Sequence, residues 1–427
     1  MLKFLFITLI ICLVINLPIG YALGVASAVA FTFGSNMTGA VVAQRIFAGM
    51  NSFTLLAIPY FMVAGAVMEL GGVSRRIINM ASAFIGHVKG GVADAAIISC
   101  AIFAAISGST PATAAAIGSI CVPEMVKRGY PSDYSGAVVG SAACLGVIIP
   151  PSITMVIFAS QTNTSIGRML IGGVVPGILL ATMLCITNTI FCKKAGYQTE
   201  PKCTKKEVWA ACKDAFWAIL TPVIILGGIM SGVATPTESA TLAIFYGLVV
   251  GFFIYKELKV KDLVPLFYKA GLNSAMIMLL IGCSNPFGWI LTTNNVPQIV
   301  ANAILSVAHT PTAVFALCLV LFLILGTFME TASIILLTLP ILYPIVSGLG
   351  IDMVHFGVCG VISLAIGMAT PPVGISLFAT CPIAHISMAQ ISKKVWPFLL
   401  VMIAGLFLFM FFPGICTWLP NLTMGLQ

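Results

Sequence analysis

The chain has 427 residues, of which 60% are hydrophobic and 7% charged, and its net charge is +8. A soluble domain carries about 25% charged residues. A chain this apolar, with a mean hydropathy of +1.12, excludes a water-soluble fold and points to a polytopic membrane protein. The basic excess sits in loops, where it reports topology and not nucleic-acid binding.

The apolar runs are of helical length, which argues against a β-barrel. Met1–Ala30 resembles a signal peptide but continues past Pro18-Ile19-Gly20 without a clear cleavage site, so two retained helices are expected over 4–17 and 20–34. A helix over 53–68 follows. Arg75–His87 is amphipathic, with Ile77, Ile78, Ala81 and Phe84 on one face, and reads as an interfacial arm. Residues 92–125 are apolar but interrupted at Ser107-Gly108-Ser109-Thr110-Pro111. Each half is too short to cross roughly 30 Å of hydrocarbon alone. Two such halves predict a re-entrant hairpin whose tip must be buried in protein or face water.

Residues 134–160 are broken at Pro150-Pro151. A helix over 170–191 leads to a hydrophilic loop, 193–214. Helices over 216–232 and 239–254 flank Ala234–Glu238, where Thr237 is the expected N-cap. Lys256–Lys269 reads as a second basic loop. An apolar segment to Leu291 and an arm to Ala308 come next. The pattern then recurs: 311–343 is broken at Gly326–Thr331, and 355–380 at Thr370-Pro371-Pro372. A last helix is expected over 395–412. If both ends of the first hairpin are cytoplasmic, seventeen of the twenty Lys and Arg fall inside, leaving Lys3, Arg45 and Arg168 outside. The two hairpins then enter from opposite faces.

An internal repeat supports this. Pro150-Pro151 and Pro371-Pro372 are 221 positions apart, and at the same offset Thr110, Pro123, Gly129, Gly136 and Gly146 match Thr331, Pro344, Gly350, Gly357 and Gly367. Gly65 and Val73 match Gly288 and Val296 at offset 223. The expected fold is therefore all-α, an inverted-topology repeat with two re-entrant helical hairpins and two broken helices. Such repeats place substrate and ions near the midplane. The expected units are 1–90 (scaffold and first arm), 91–168 (first transport half), 169–309 (scaffold, basic loop and second arm), 310–385 (second transport half) and 386–427 (C-terminal helix).

The breaks carry the chemistry. Prolines free upstream carbonyls. Carbonyl and hydroxyl oxygens suit a small cation such as Na⁺, and Gly108 and Gly146 permit close approach of tip and broken helix. A proline kink with a serine bonding to its own helix is the plainer alternative. Glu330 is the one acid at a hairpin tip, and a carboxylate at membrane depth reads as a cation ligand, a proton site or a paired structural acid. Glu238 reads as a helix-start residue, and Asp94 and Glu69 as interfacial. Helix N-termini near Thr110, Pro151 and Pro372 favour an anionic substrate, with Thr110, Ser152 and Thr154 as candidate contacts. The thirteen scattered cysteines read as core residues, and no metal spacing links His87, His309, His355 and His385. No Walker-type, Ser–His–Asp or HExxH pattern occurs, so neither an ATPase nor another enzyme is expected.

Laid out in this way, the sequence resembles the large membrane subunit of TRAP (tripartite ATP-independent periplasmic) transporters of the dicarboxylate and sialic-acid type. The resemblance rests on Phe53-Thr54-Leu55-Leu56-Ala57-Ile58-Pro59, Ser107-Gly108-Ser109, Pro123-Glu124-Met125 with Arg128-Gly129-Tyr130, Gly146 to Ser152, Ala234–Glu238 and Thr370-Pro371-Pro372-Val373-Gly374. It implies an elevator-type, Na⁺-driven symporter of the bacterial inner membrane. Its partners would be a smaller membrane subunit, expected as a separate chain, and a periplasmic substrate-binding protein. Carried over, the first sodium site falls on Ser107, Ser109, Gly146, Ile149 and Pro151, mostly through carbonyls. The second falls on Gly326, Glu330, Thr331, Gly367, Thr370 and Pro372. The implied substrates are C4-dicarboxylates, sialic acids or other sugar acids. A stand-alone divalent-anion symporter or exchanger, and a channel or passive scaffold, are the rival readings.

Overall fold

A computed structural model of the chain describes residues 1–34, 39–195 and 202–425, and the regular structure of those residues is helical throughout. Helices α1 (Leu2–Val14) and α2 (Ile19–Gly34) pack together and are followed by α3 (Gly39–Met50). A 3-10 turn over Phe53–Leu56 opens α4 (Ala57–Leu70), and the first arm is α5 (Val73–Ile85). Gly72 and Gly90, with φ +77° and +85°, turn the chain before and after the arm, a conformation that costs glycine little. The arm buries Ile77, Ile78 and Ala81 as expected, but Phe84 is exposed, so the apolar stripe stops at Ala81. Arg76 fastens the arm to its neighbours. It pairs with Glu257 at 2.7 Å and Asp214 at 3.2 Å, and its guanidinium lies 3.7 Å from the Tyr255 ring centre.

The first broken unit comprises α6 (Gly91–Ser107), α7 (Thr110–Lys127), α8 (Ser132–Ala142) with a 3-10 turn to Val147, and α9 (Ile153–Gln161). Then come α10 (Ile166–Gly172) and α11 (Val174–Ala195), followed by α12 (Lys205–Met230) and α13 (Pro236–Val249), which runs into one π turn to Ile254. A long α14 (Val260–Thr293) and the second arm α15 (Val296–Val307) precede the second broken unit, α16 (Pro311–Gly326), α17 (Thr331–Gly348), α18 (Met353–Met368) and α19 (Ile375–Ala384). The chain closes with α20 (Met388–Phe411) and α21 (Gly414–Met424).

Seven helical stretches among the described residues are long and apolar enough to cross a bilayer, or eight if α15 and α16, bent by 111°, count as one. The repeat is visible in the element bounds: Thr110–Lys127 maps onto Thr331–Gly348 at both ends with the same offset of 221. Packing sorts the helices into two groups. The helices α2, α3 and α4 pack with α13 and α14, while α11 and α20 pack on each other and on α6, α8 and α18.

Several boundaries differ from expectation. Part of the hydrophilic loop is helix: α12 begins at Lys205, where Thr204 and Glu207 form a reciprocal capping box. Residues 196–201 of that loop lie outside the described residues. The basic stretch to Lys269 is likewise helical from Val260 onward. The cap before α13 is Thr235, not Thr237. Its hydroxyl accepts from the Glu238 N–H at 3.3 Å, and the Glu238 carboxylate returns to the Thr235 N–H at 2.7 Å. The short α21 was not anticipated. It is held to α10 by buried Arg168, whose guanidinium donates to Asn421 and to the Gly425 carbonyl. Asp94, in the first turn of α6, is buried within the protein: Asn188 donates to it at 2.7 Å and Thr189 at 3.1 Å.

Candidate functional site

The two tips and the two broken helices meet. In the first half α6 ends at Ser107, and Gly108 turns the chain with φ +61°. A Cβ on Gly108 would lie 2.6 Å from the Pro151 carbonyl oxygen, and one on Gly146 would lie 2.7 Å from that of Ser109. Tip and broken helix therefore touch backbone to backbone, with no space for a side chain. Around this contact three neutral oxygens converge. The Thr113 hydroxyl lies 2.8 Å from the Ser107 hydroxyl and donates to the Ser109 carbonyl at 2.9 Å. Hard, uncharged oxygens of this kind fit a small alkali cation.

Of the five residues expected at the first sodium site, the structure brings Ser107, Ser109, Gly146 and Pro151 into this neighbourhood. The Ile149 side chain points to α11, where a Cβ on Gly177 would meet its Cγ1 at 2.5 Å. Its N–H bonds to the Leu145 carbonyl at 2.9 Å. Both Pro150-Pro151 and Pro371-Pro372 are cis. Ser152 caps α9, donating to the Val147 carbonyl at 2.6 Å and accepting from the Met155 N–H at 3.2 Å. Thr110 is fully buried, and its hydroxyl has no hydrogen-bond partner among the described residues.

The second half repeats the contact with a different residue. A Cβ on Gly367 would lie 2.6 Å from the Gly326 Cα, and one on Gly326 would lie 2.7 Å from the Leu364 carbonyl oxygen. Thr370 donates to the Ile366 carbonyl at 2.7 Å. The Glu330 carboxylate is engaged by its own helix as the N-cap of α17, accepting from the Ala332 N–H at 3.0 Å and the Thr331 hydroxyl at 3.1 Å. Glu330 and Pro372 are exposed, whereas Pro150 and Pro151 are buried. The second tip is thus the more open one, and its acid caps α17, a role not among the three that sequence reading gave it.

The halves are joined at the centre. Cys144 Sγ donates to the Ala365 carbonyl at 3.0 Å. These positions are counterparts at the repeat offset of 221. The Thr154 hydroxyl lies 3.0 Å from that of Thr331, linking the N-terminus of α9 to that of α17. A cavity of about 140 Å³ opens beside the first tip. Ser107 and Ser109 line one side; Gly65 and Glu69 of α4 with Lys269 and Asn273 of α14 line the other.

Residues 6–415 match the family described as the DctM component of the tripartite ATP-independent periplasmic transporter. The chain belongs to this family. It is a multi-pass membrane permease of a bacterial TRAP system and not an enzyme. It is 39% identical over 442 residues to the C4-dicarboxylate TRAP transporter large permease protein DctM of Vibrio cholerae, covering 99% of this chain and 98% of that one. It is 41% identical over 404 residues to the isethionate TRAP transporter permease protein DctMQ of Oleidesulfovibrio alaskensis, covering 94% of this chain but 64% of that longer protein. The crystal structure of the Alcanivorax borkumensis YdaH transporter shares the fold, with a TM-score of 0.60 over 87% of each chain at 11% identity.

In this DctM-family chain, sequence reading missed Thr113, Lys269 and Asn273. Thr113 stands four residues after Ser109, a spacing that lets its hydroxyl reach back to that carbonyl. Lys269 and Asn273 share that same spacing on one face of α14, but the face is invisible while the stretch reads as loop. A further convergence was also missed: His355, Cys359 and Cys416 are buried with donor atoms within 4.8 Å of one another. His355 and Cys359 stand one turn apart on α18, and α21 delivers Cys416. On α18 the cluster lies toward the end opposite Gly367, with Cys359 about 12 Å and His355 about 18 Å away by helical rise, so it is separate from the tips.

Proposed function

We propose that this chain is the membrane carrier of a binding-protein-dependent uptake system for a small organic acid, and that a sodium gradient drives it. The observation that carries the reading is the paired contact of tip and broken helix, Ser109 on Gly146 and Gly326 on Gly367, in halves that repeat at a fixed offset. The basic loops support opposite insertion of the two halves, hence an inverted repeat, the design expected of a secondary carrier. The relatives named above for C4-dicarboxylates and isethionate point to a compact organic anion, and sialic and other sugar acids belong to the same anionic class. The cavity at the first tip offers such a ligand the Ser107 and Ser109 oxygens on one wall and, on the other, Asn273 and Lys269, whose charge offsets the Glu69 carboxylate on that wall. Ser107, Ser109, Thr113 and Gly146 would hold one ion, and Gly326, Thr331, Gly367 and Thr370 would contribute to a second. Thr110, Ser152 and Thr154 stand at helix starts, where partial positive charge favours the substrate's anionic group. We further assign α11 and α20 to the moving body, because both pack on the broken units and not on α12–α14; an elevator displacement would carry them too.

The test is uptake into proteoliposomes containing this chain and a small membrane subunit, with substrate presented by a periplasmic binding protein. Accumulation is expected only with an inward sodium gradient and loaded binding protein. Equal accumulation without the gradient would contradict the coupling. Uptake of free substrate without the binding protein would favour the stand-alone symporter, and ohmic current the channel.

A further inference from the structure

The cytoplasmic end of the molecule holds a second built feature, away from the tips. Lys194, near the end of α11, and Lys393 and Lys394, in the first turns of α20, open onto one groove of about 430 Å³. Its floor is apolar and aromatic: Tyr134, Phe191 and Phe398. No carboxylate lines it, and none of the three lysines makes an ion pair among the described residues. Three like charges around one concavity repel one another, and an anion seated between them relieves that repulsion.

The floor is fixed in place. Tyr134 donates to Asn188 at 2.7 Å, its ring lies 6.0 Å from that of Phe398, and Asn188 holds both Asp94 and the Gly90 carbonyl. The buried acid beneath the groove is therefore committed downward, to Asn188 and Thr189. The groove also continues onto a lipid-facing flank. Ile190 and Phe191, half exposed, precede Lys193 and Lys194 on α11, and half-exposed Trp396 follows the lysines on α20. Basic side chains directly above exposed apolar and aromatic ones mark the level of the headgroups. A soluble anion would use the lysines alone; a phospholipid uses both surfaces.

We propose that this groove binds an anionic phospholipid, with the phosphate between Lys194, Lys393 and Lys394 and an acyl chain along Phe191 and Ile190. The site lies at the junction of α8, α11 and α20, so the lipid would ride on that packed group of helices. The assignment uses the sidedness of the chain and is independent of what the chain transports.

The test is native mass spectrometry of the purified, delipidated chain titrated with phosphatidylglycerol or phosphatidylethanolamine. Wild type is expected to retain phosphatidylglycerol in preference. The triple variant Lys194→Gln, Lys393→Gln, Lys394→Gln is expected to lose roughly a hundredfold in retention, about fivefold per basic side chain. A control triple, Lys202→Gln, Lys205→Gln, Lys206→Gln, removes the same charge and is expected to behave as wild type. A melting temperature that rises with phosphatidylglycerol in wild type and control alone would agree. The proposal is overturned if the first triple variant retains the lipid as wild type does, if the control loses it equally, or if inorganic phosphate displaces the lipid at equal concentration.

Discussion

Uptake by Gly367→Ala is expected to fall at least tenfold, and by Gly367→Leu below detection, while both variants still insert into the membrane. The added Cβ of alanine would already stand 2.6 Å from the Gly326 Cα and 2.7 Å from the Leu323 carbonyl oxygen. These are main-chain atoms, so no rotamer change relieves the clash; α16 and α18 would have to separate. Forced overpacking of this kind costs about 1–3 kcal/mol, and about 1.4 kcal/mol corresponds to a factor of ten. Gly146→Ala is expected to behave similarly, because its Cβ would meet the Ser109 carbonyl oxygen at 2.7 Å and the Thr113 hydroxyl at 2.8 Å. Gly227→Ala and Gly271→Ala are the controls: nothing lies within 4 Å of a Cβ at either position, and alanine favours a helix. Normal uptake by both site variants, at wild-type surface level, would remove the tip contacts from the mechanism.

Lys269→Glu is expected to raise the KM for uptake about thirtyfold, with a smaller effect on the maximal rate. Lys269 faces the cavity at the first tip from the opposite wall, which it shares with Glu69, and among the described residues it makes no ion pair. Its side chain is exposed, so screening limits its attraction for an anion to about 1 kcal/mol. Reversal replaces that attraction with a repulsion of similar size, about 2 kcal/mol in all, or roughly thirtyfold. Lys269→Gln removes only the attraction and is expected to cost about fivefold. A wild-type KM for Lys269→Glu would take Lys269 out of the substrate path.

Much of this architecture was legible because it rests on interruptions. A glycine or proline inside an apolar run announces itself, and a fixed offset between two sets of them predicts paired units; the matching bounds of α7 and α17 follow from that. What escaped lies outside the lipid or depends on distant partners. The first turns of α12 and α14 are lysine-rich and read as loop, because helices that emerge into water lose the apolar signal while keeping their hydrogen bonds. Nothing local tells that Asp94 is buried, since its partners Asn188 and Thr189 are nearly a hundred residues away. Glu330 looked exceptional for its charge, yet the structure uses it first as a helix cap. Thr154 and Thr331, 177 positions apart, meet only because the tertiary fold brings the start of α9 to the start of α17.

Sodium binding to the purified chain tests the central claim most directly. The melting temperature should rise as Na⁺ replaces K⁺ at constant ionic strength, since a ligand bound only by the folded state stabilises it. That rise should be lost in Ser107→Ala/Thr113→Val, which removes two of the three converging oxygens but leaves the glycine contact intact. A wild-type chain that melts identically in Na⁺ and K⁺, or a double variant with the full sodium-dependent rise, would contradict the assignment.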